Sequence, residues 1–223
     1  MKNQVIFITG SSSGIGRETA YRFASAGAKI VLTYYKGEKR GVMAEKHCIK
    51  LGASDTLLLH LDVTDSGSIV SALKKAVRKF GGIDVLVNNA GTGRFDLFKK
   101  QTSRDIERQI RTNLEGLIKM THAAIPFVRK SVINIASAAG KESYPEMVVY
   151  CASKFGVRGF TQGLAQEYPR LRICSINPDM TSTRLSGYEG RPSADVADVI
   201  FRAASGRIKF EHGGDVDVWK ILD

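Results

Sequence analysis

The chain has few of the residues that mark secreted or metal-binding proteins. Only three of its 223 residues are cysteines, without CxxC or metal-ligand spacing: Cys48, Cys151 and Cys174. Neither a disulfide framework nor a metal site is therefore expected, and a reducing cytoplasm fits best. No apolar run approaches the roughly 20 residues that cross a bilayer, so no membrane partner is predicted. The first apolar run, residues 5–8, is read as a strand and not as a signal peptide.

Proline is also scarce, and its five residues are scattered without forming a linker. No internal repeat or low-complexity segment divides the chain. A length of 223 residues, of which 43% are hydrophobic, therefore predicts one domain over residues 1–223 with a single substantial core. Within it, residues 179–192 are rich in serine, threonine and glycine and are read as a short, mobile substrate loop.

Acidic residues are outnumbered by basic ones, which gives a formal net charge of +11. The bases are spread along the chain and mostly alternate with apolar positions, as on solvated helix faces. Solubility explains this excess better than nucleic-acid binding does. Nucleic acid, an acidic surface and an anionic ligand stay open as alternatives.

Short β-rich runs alternate with longer helical periods along the chain. The runs lie at residues 5–8, 30–32, 56–59, 85–87, 132–135 and 173–176. Near-continuous apolar strands joined by amphipathic helices require a parallel sheet that is covered on both faces. The sequence therefore predicts an α/β fold, a doubly wound parallel sheet of about seven strands, with ligands at the carboxyl ends of the strands.

A glycine-rich turn, T-G-S-S-S-G-I-G, directly follows the first predicted strand and opens a helix. Glycines there let the backbone approach a pyrophosphate, whose negative charge is favoured by free N–H groups and by the helix dipole. An ordinary strand-to-helix loop is the alternative, but the position after the first strand favours a dinucleotide site. The predicted contacts are Gly10, Ser12, Ser13, Gly14, Ile15 and Gly16.

Tyr150 and Lys154 are four residues apart, so on a helix both point to one face. An ammonium group there is expected to lower the phenol pKa and make Tyr150 an acid–base catalyst near neutral pH. Ser137, after the fifth predicted strand, would hydrogen-bond a substrate oxygen as negative charge develops on it. Such a Tyr–Lys pair alone is also common on solvated helix faces, so its meaning depends on Ser137 and the glycine-rich turn.

Together these features resemble the short-chain dehydrogenase/reductase family. The resemblance rests on T-G-x-x-x-G-I-G, on N-N-A-G at 88–91, on Y-C-A-S-K at 150–154 and on Ser137 thirteen residues before Tyr150, and it covers residues 4–183. It implies a Rossmann fold and NAD(P)-dependent hydride transfer between a carbonyl and an alcohol. The implied catalytic residues are Ser137, Tyr150, Lys154 and Asn113.

The resemblance also implies roles that the residues alone do not indicate. Lys154 would hold the nicotinamide ribose, and Asn113 would hold a water for a proton relay. Helices predicted at 104–127 and 149–167 would build a homotetramer or homodimer. Thr181 and Thr183 match family contacts near the carboxamide, although ordinary loop threonines would look the same. The further implied cofactor contacts are Asp62, Val63, Asn89, Ala90, Gly91, Tyr150, Lys154, Pro178, Thr181 and Thr183.

No acidic residue ends the second predicted strand, where one would bind the ribose of NAD and repel the extra phosphate of NADP. The strand ends instead at Tyr34, Tyr35 and Lys36, which are predicted cofactor contacts. Lys36, Lys39 and Arg40 could neutralise a 2′-phosphate, although they also fit a solvated helix start. Ser13 argues against this, because many NADP-using relatives have a basic residue there. NADP(H) is therefore preferred, with NAD(H) as the alternative.

Two departures from the family pattern affect the substrate side. Asp179 follows Pro178 where the family has glycine, and the segment up to Pro192 is much shorter than the usual lid. An unusually open pocket is therefore expected. The residues that line it by position suggest an aromatic or an anionic substrate group and are Arg94, Phe95, Lys141, Tyr144 and Met147.

Two other classes of function stay open. A dinucleotide-sensing protein on the same fold would bind a cofactor without turnover, although a sensor does not need a proton donor such as Tyr150. A nucleic-acid binder would use the +11 charge. The sequence favours a cytoplasmic oxidoreductase that acts on a small-molecule carbonyl or alcohol, without nucleic acid or membrane as a partner.

Overall fold

A parallel sheet forms the centre of the computed structural model, which describes residues 1–222. The strands are β1 (Val5–Ile8), β2 (Lys29–Tyr34), β3 (Asp55–His60), β4 (Ile83–Asn88), β5 (Val128–Ile135), β6 (Arg172–Asn177), β7 (Thr181–Ser182), β8 (Arg191–Pro192) and β9 (Asp215–Asp217). Seven of them form the main sheet in the order β3-β2-β1-β4-β5-β6-β9, and each neighbouring pair is parallel. The predicted doubly wound α/β fold is confirmed.

Helices cover both faces of this sheet. They are α1 (Gly14–Ala24), α2 (Glu38–Lys50), α3 (Ser66–Phe80), α4 (Ser103–Ile110), α5 (Gly116–Ala124), α6 (Val148–Glu167), α7 (Ser193–Ala204) and α8 (Val218–Leu222). On one face α1 packs against α2 and α7, and on the other α5 packs against α3 while α4 packs against α6. Within residues 1–222, no helix has both the length and the apolar character to cross a bilayer.

The apolar strands fold into the middle of the sheet because they supply side chains to both faces. In β1, Ile6 and Ile8 pack into the core beneath α1, whereas Phe7 packs into the core on the opposite face. Phe23 of α1 meets Phe201 of α7 edge-on, with ring centroids 5.2 Å apart. Two cores thus enclose one sheet, which explains the near-continuous hydrophobic character of the strands.

The long helix predicted at 104–127 is divided in the structure. A π-helical turn, Arg111–Glu115, separates α4 from α5, and a 3-10 turn, Ile125–Phe127, follows α5. The wider π turn contains Asn113, whose side chain bonds outside the helix. The periodic apolar pattern continues through this turn, so it does not reveal the interruption.

The segment 179–192 is held at several points. β7 and β8 pair with each other, and a 3-10 turn, Arg184–Ser186, lies between them. The Arg191 guanidinium grips the Asp179 carboxylate, with Nη2–Oδ2 at 3.0 Å and Nε–Oδ1 at 3.1 Å. The Ser186 hydroxyl donates to the Thr181 carbonyl at 2.7 Å. The segment thus has its own two-stranded sheet and ion pair, and its predicted mobility stays a prediction.

Candidate active site

The predicted site segments all lie at one edge of the main sheet. Parallel strands end at the same edge, and the loops that follow them therefore meet there. The glycine-rich turn, residues 10–16, follows β1, and Tyr34 ends β2. The other predicted cofactor segments each follow a strand: 35–36 after β2, 62–63 after β3, 89–91 after β4 and 178–183 after β6. Ser137 follows β5. The fold therefore brings the predicted cofactor and catalytic residues to a common edge.

The glycine-rich turn is built for a close approach by a ligand. Gly10 and Gly14 have φ angles of 67° and 54°, which only glycine adopts readily. Ser12 is buried, Ser13 is extended, and the side chain of Ser13 does not cap α1. The first N–H groups of α1 are thus free of a Ser13 cap and suit an anion. This local geometry fits the pyrophosphate of a dinucleotide.

Gly16 is the tightest point of this turn. A Cβ at position 16 would collide with the Asn89 amide and would lie 2.6 Å from the Gly10 carbonyl oxygen. The Asn89 side chain donates to the carbonyls of Thr9 and Gly10 at 2.9 and 3.2 Å. The Thr9 hydroxyl in turn accepts the N–H groups of Asn89 and Ala90, both at 2.9 Å. These hydrogen bonds hold the segment after β4 against the glycine-rich turn. The part that Thr9 plays in this was not predicted from the sequence.

A cleft of about 850 Å³ opens beside this turn and is rich in positive charge. Three arginines line it: Arg17, Arg40 and Arg184. Its carboxylate, Glu18, is bonded to Arg17 with Oε1–Nη2 at 2.7 Å. Ser13, Gly14 and Thr183 also line the cleft, and the Thr183 methyl group would lie 3.3 Å from a Cβ at Gly14. The cleft thus combines predicted cofactor contacts with Arg17 and Arg184, which were not predicted.

The residues after β2 and β3 form the outer part of this edge. Tyr34 packs edge-on against His60, with ring centroids 5.6 Å apart. The Lys36 ammonium lies 5.2 Å from the centre of the exposed Tyr35 ring, and Arg40 donates to the Lys36 carbonyl at 2.8 Å. The Asp62 carboxylate accepts the N–H and the hydroxyl of Thr64 at 2.9 and 2.7 Å, and the neighbouring Val63 is buried. Of the predicted bases, Arg40 lines the positively charged cleft.

Tyr150 and Lys154 are buried side by side on α6, at 8% and 5% exposure. The Lys154 Nζ lies 5.6 Å from the centre of the Tyr150 ring and donates to the Ile135 carbonyl at 2.8 Å. Ser137 caps the 3-10 turn Ala138–Gly140 by accepting the Ala139 N–H at 3.1 Å. The Ser137 hydroxyl also interacts with the Tyr150 hydroxyl. The three predicted catalytic side chains are therefore assembled in one place.

Burial changes the proton affinities of this pair. Burial raises the pKa of Tyr150 to about 12, and the hydrogen bond with Ser137 acts in the opposite direction. Burial lowers the pKa of Lys154 to about 8. The expected lowering of the phenol pKa by the ammonium is not seen in the protein alone, where burial of the phenol dominates. The Tyr150 phenol therefore keeps its proton at neutral pH.

Asn113 braces the loop that follows β4. Its Oδ1 accepts the Thr92 N–H at 2.8 Å, and its Nδ2 donates to the Thr92 carbonyl at 2.8 Å and to the Ser153 hydroxyl at 3.1 Å. Because Ser153 directly precedes Lys154, Asn113 links Gly91–Thr92 to the catalytic helix. π-helical turns of this kind often occur at functional sites. The predicted water relay through Asn113 stays a prediction.

The substrate side is more aromatic than cationic. Phe95 meets Tyr150 edge-on, with ring centroids 5.4 Å apart, and Met147 packs on the buried cluster around Tyr150. Arg94 pairs with Asp96 at 2.9 Å, and Tyr144 is 39% exposed. Lys141 does not contribute a base to the substrate side, because its Nζ bonds the Asp217 carboxylate of β9 at 2.7 Å. Position along the chain indicated Lys141, but it could not show that a carboxylate of β9 draws the side chain away.

The fold and this buried trio define a protein of the nicotinamide-dependent oxidoreductase class. The chain belongs to the short-chain dehydrogenase family, whose model matches residues 4–192. An oxidoreductase of Staphylococcus saprophyticus is 35% identical over 196 residues, which cover 84% of this chain and 78% of that relative. A 3-oxoacyl-[acyl-carrier-protein] reductase of Thermotoga maritima is 32% identical over 192 residues, covering 83% of this chain and 77% of the relative.

Longer relatives and solved structures agree with this assignment. Human dehydrogenase/reductase SDR family member 7 is 35% identical over 189 residues, which cover 80% of this chain but only 55% of the relative. The chain therefore spans about half the length of that protein. A short-chain dehydrogenase from Burkholderia cenocepacia J2315, solved in complex with NADP, is 26% identical with a TM-score of 0.89, covering 97% of this chain and 96% of the other.

Gly16→Ala should weaken binding of NADPH and NADH. The new Cβ would displace the Asn89 amide or the Gly10 carbonyl and so distort the turn. We expect the Kd from fluorescence titration to rise by about tenfold or more, equivalent to about 1.4 kcal/mol. Gly159→Ala is the control, since a Cβ at this helical position meets nothing within 4 Å. Equal dinucleotide affinity in the two variants would contradict the assignment of this turn.

Proposed function

We propose that the protein transfers hydride between NADP(H) and a small-molecule carbonyl or alcohol, with Tyr150 as the acid–base group. The observation that carries this proposal is the buried contact of Tyr150 with Ser137 and Lys154 at the edge that also carries the glycine-rich turn. A proton donor, an ammonium group and a hydroxyl converge there within one fold. We also propose a cytoplasmic homodimer or homotetramer without a nucleic-acid partner.

Each residue of the trio has a chemical task in this proposal. A bound nicotinamide supplies or accepts the hydride. The Ser137 hydroxyl hydrogen-bonds the substrate oxygen, and Tyr150 gives that oxygen a proton as negative charge develops on it. The Lys154 ammonium stabilises the tyrosinate that is left behind. With a pKa of about 12, the Tyr150 phenol is protonated at neutral pH and can donate its proton to the substrate oxygen.

Tyr150→Phe should abolish turnover and leave cofactor binding intact, because the change removes only the hydroxyl. We expect kcat to fall by about 10²- to 10⁴-fold in a ketone and aldehyde panel, with the NADPH Kd changed by less than about twofold. Tyr144→Phe removes a partly exposed hydroxyl on the same side and should have little effect on kcat.

Retained turnover in Tyr150→Phe would refute the assigned role. If the unaltered protein binds NADPH tightly but reduces nothing in the panel, the dinucleotide-sensing alternative is favoured. Steeply salt-dependent binding to duplex DNA would instead favour the nucleic-acid alternative.

The preference for NADP(H) is supported by charge. Arg17, Arg40 and Arg184 line the cleft beside the turn, and its one lining carboxylate already holds Arg17. A phosphate that pairs with an arginine gains charge-assisted hydrogen bonds. The relative from Burkholderia cenocepacia was solved with NADP, which agrees with this preference. Lys36, whose carbonyl accepts a hydrogen bond from Arg40 and whose ammonium lies over the Tyr35 ring, adds a second base beside Arg40 for the 2′-phosphate.

Arg40→Ala should weaken NADPH binding more than NADH binding, because only NADPH has the extra phosphate. We expect the NADPH Kd to rise by about tenfold and the NADH Kd to change by less than about twofold. Lys46→Ala, an exposed base further along α2, is the charge-matched control. An equal loss for both cofactors would assign Arg40 to a shared part of the dinucleotide instead.

An aromatic or other apolar substrate group suits this pocket better than an anionic one. Arg94 and Lys141, the two bases that the sequence predicted for the substrate side, both have carboxylate partners of their own. Phe95 lies on Tyr150, and a Cβ at Gly93 would come within 3.1 Å of Leu185. The wall next to the reactive phenol is therefore apolar.

Phe95→Ala should reduce activity towards aromatic ketones selectively. We expect kcat/KM for an aryl alkyl ketone to fall by about tenfold, because an apolar wall is lost, while kcat/KM for a small aliphatic ketone changes by less than about threefold. Phe98→Ala, at a 57% exposed position three residues later, is the control. A uniform loss for both substrates would show that Phe95 supports Tyr150 and does not select the substrate.

A further inference from the structure

We infer that a charge network on β9 positions the catalytic residues, with Asp215 and Asp217 tying the segment after Ser137 to the helix of Tyr150 and Lys154. The inference rests on the proposed function. It assigns to four residues outside the cofactor site, Lys141, Arg158, Asp215 and Asp217, the task of holding Ser137 in register with α6.

Arg158 makes the central connection of this network. It lies one turn beyond Lys154 on α6, and its guanidinium bonds Asp215 through two nitrogens, with Nη2–Oδ2 at 2.6 Å and Nε–Oδ1 and Nε–Oδ2 at 2.9 and 3.1 Å. Its remaining nitrogen, Nη1, donates to the Gly140 carbonyl at 2.6 Å. Gly140 ends the 3-10 turn that Ser137 caps. One planar side chain thus joins the catalytic helix, the edge strand and the Ser137 turn.

Lys141 closes the network from the other side. Its Nζ bonds Asp217 at 2.7 Å and lies 3.5 Å from Asp215, so the residue next to Gly140 is also held by β9. Asp217 is only 5% exposed and accepts a second hydrogen bond, at 2.8 Å, from the Asn177 amide of β6. The Ser137 turn is therefore fixed to the edge strand at two adjacent residues.

The two carboxylates of this network face three bases, because Lys220 also bonds Asp217, with Nζ–Oδ2 at 3.0 Å. Burial acts to raise the pKa of Asp215, but hydrogen bonds from Arg158 and Ser175 outweigh it and hold that pKa well below its usual range. The Asp217 pKa is also lowered, since its bonds to Lys141 and Asn177 outweigh burial. Both carboxylates are thus anions at neutral pH, each facing a cation. Removal of the Asp215 charge would leave the Arg158 guanidinium without its bonded carboxylate and let the turn shift.

The network touches the catalytic segments but not the glycine-rich turn. A purely structural pair would affect folding and all activities together. A positioning network should instead affect the rate of the chemical step, because small misplacements of reacting groups are costly. Cofactor binding should be spared, since the residues that line the positively charged cleft come from the glycine-rich turn, α1, α2, the segment 179–192 and the start of α7.

The test compares Asp215→Asn with Asp198→Asn. Asp198 is a matched control, because its carboxylate also binds an arginine, Arg22 of α1, with Oδ1–Nε at 2.8 Å. We expect Asp215→Asn to lower kcat at least tenfold while the NADPH Kd stays within twofold, and Asp198→Asn to leave kcat within twofold. Arg158→Lys should retain more kcat than Arg158→Gln, because lysine keeps the positive charge. Both variants should fall below the unaltered protein, because both lose the planar guanidinium.

Hydrogen exchange gives a second readout that does not need turnover. The Gly140 N–H donates to the Ser137 carbonyl at 2.9 Å, and its exchange should accelerate at least tenfold in Asp215→Asn but not in Asp198→Asn. If the unaltered protein reduces no carbonyl, the proposed function fails while this readout still decides the inference. If Asp215→Asn does not fold, the same two measurements are made on Lys141→Met, which changes a more exposed residue of the network. Unchanged exchange at Gly140, or a kcat loss no greater than in Asp198→Asn, overturns the inference.

Discussion

Burial of the Tyr150–Lys154 pair is the constraint on which the rest of the site depends. An ammonium group and a phenol lose most of their hydration there, and this loss must be offset by bonds from the fold. The Ile135 carbonyl at the end of β5 supplies one such bond to Lys154, at 2.8 Å. Ser137, two residues further on, supplies the other partner to Tyr150. The end of β5 must therefore lie beside α6, which connects the catalytic geometry directly to sheet register.

The cofactor half of the site is organised by a different kind of contact. There, close backbone approach takes the place of buried charge: Gly16 leaves room for the Asn89 amide, and Asn89 returns bonds to the carbonyls of the turn. Thr9 completes the arrangement by accepting two N–H groups from the segment after β4. The two halves meet at Thr92, which Asn113 ties to Ser153 of α6.

The sequence predicted those parts of the molecule whose physical cause is local. Six strands could be located because buried parallel strands are continuously apolar, and the glycine-rich turn because its conformation needs glycine. β9 was not predicted, because it is only three residues long and two of them are aspartates, so it has no apolar run. Lys141 was placed on the substrate side because position along a chain does not show which distant carboxylate a side chain will reach. Arg17 and Arg184 were not predicted, because the sequence does not show which exposed arginines the fold brings into the same cleft.

Asp179 shows how a departure from a family pattern can be compensated nearby. Glycine at this position would make the backbone more flexible. The aspartate instead supplies a carboxylate that forms an ion pair with Arg191, at the other end of the same segment. The short β7–β8 pairing then forms between the two ends, and the turn between them lies against Gly14 through Thr183. A segment too short to fold over a substrate as a long lid is thereby given a defined shape. This shape places Ser182, Thr183 and Arg184 in the lining of the cleft beside the glycine-rich turn.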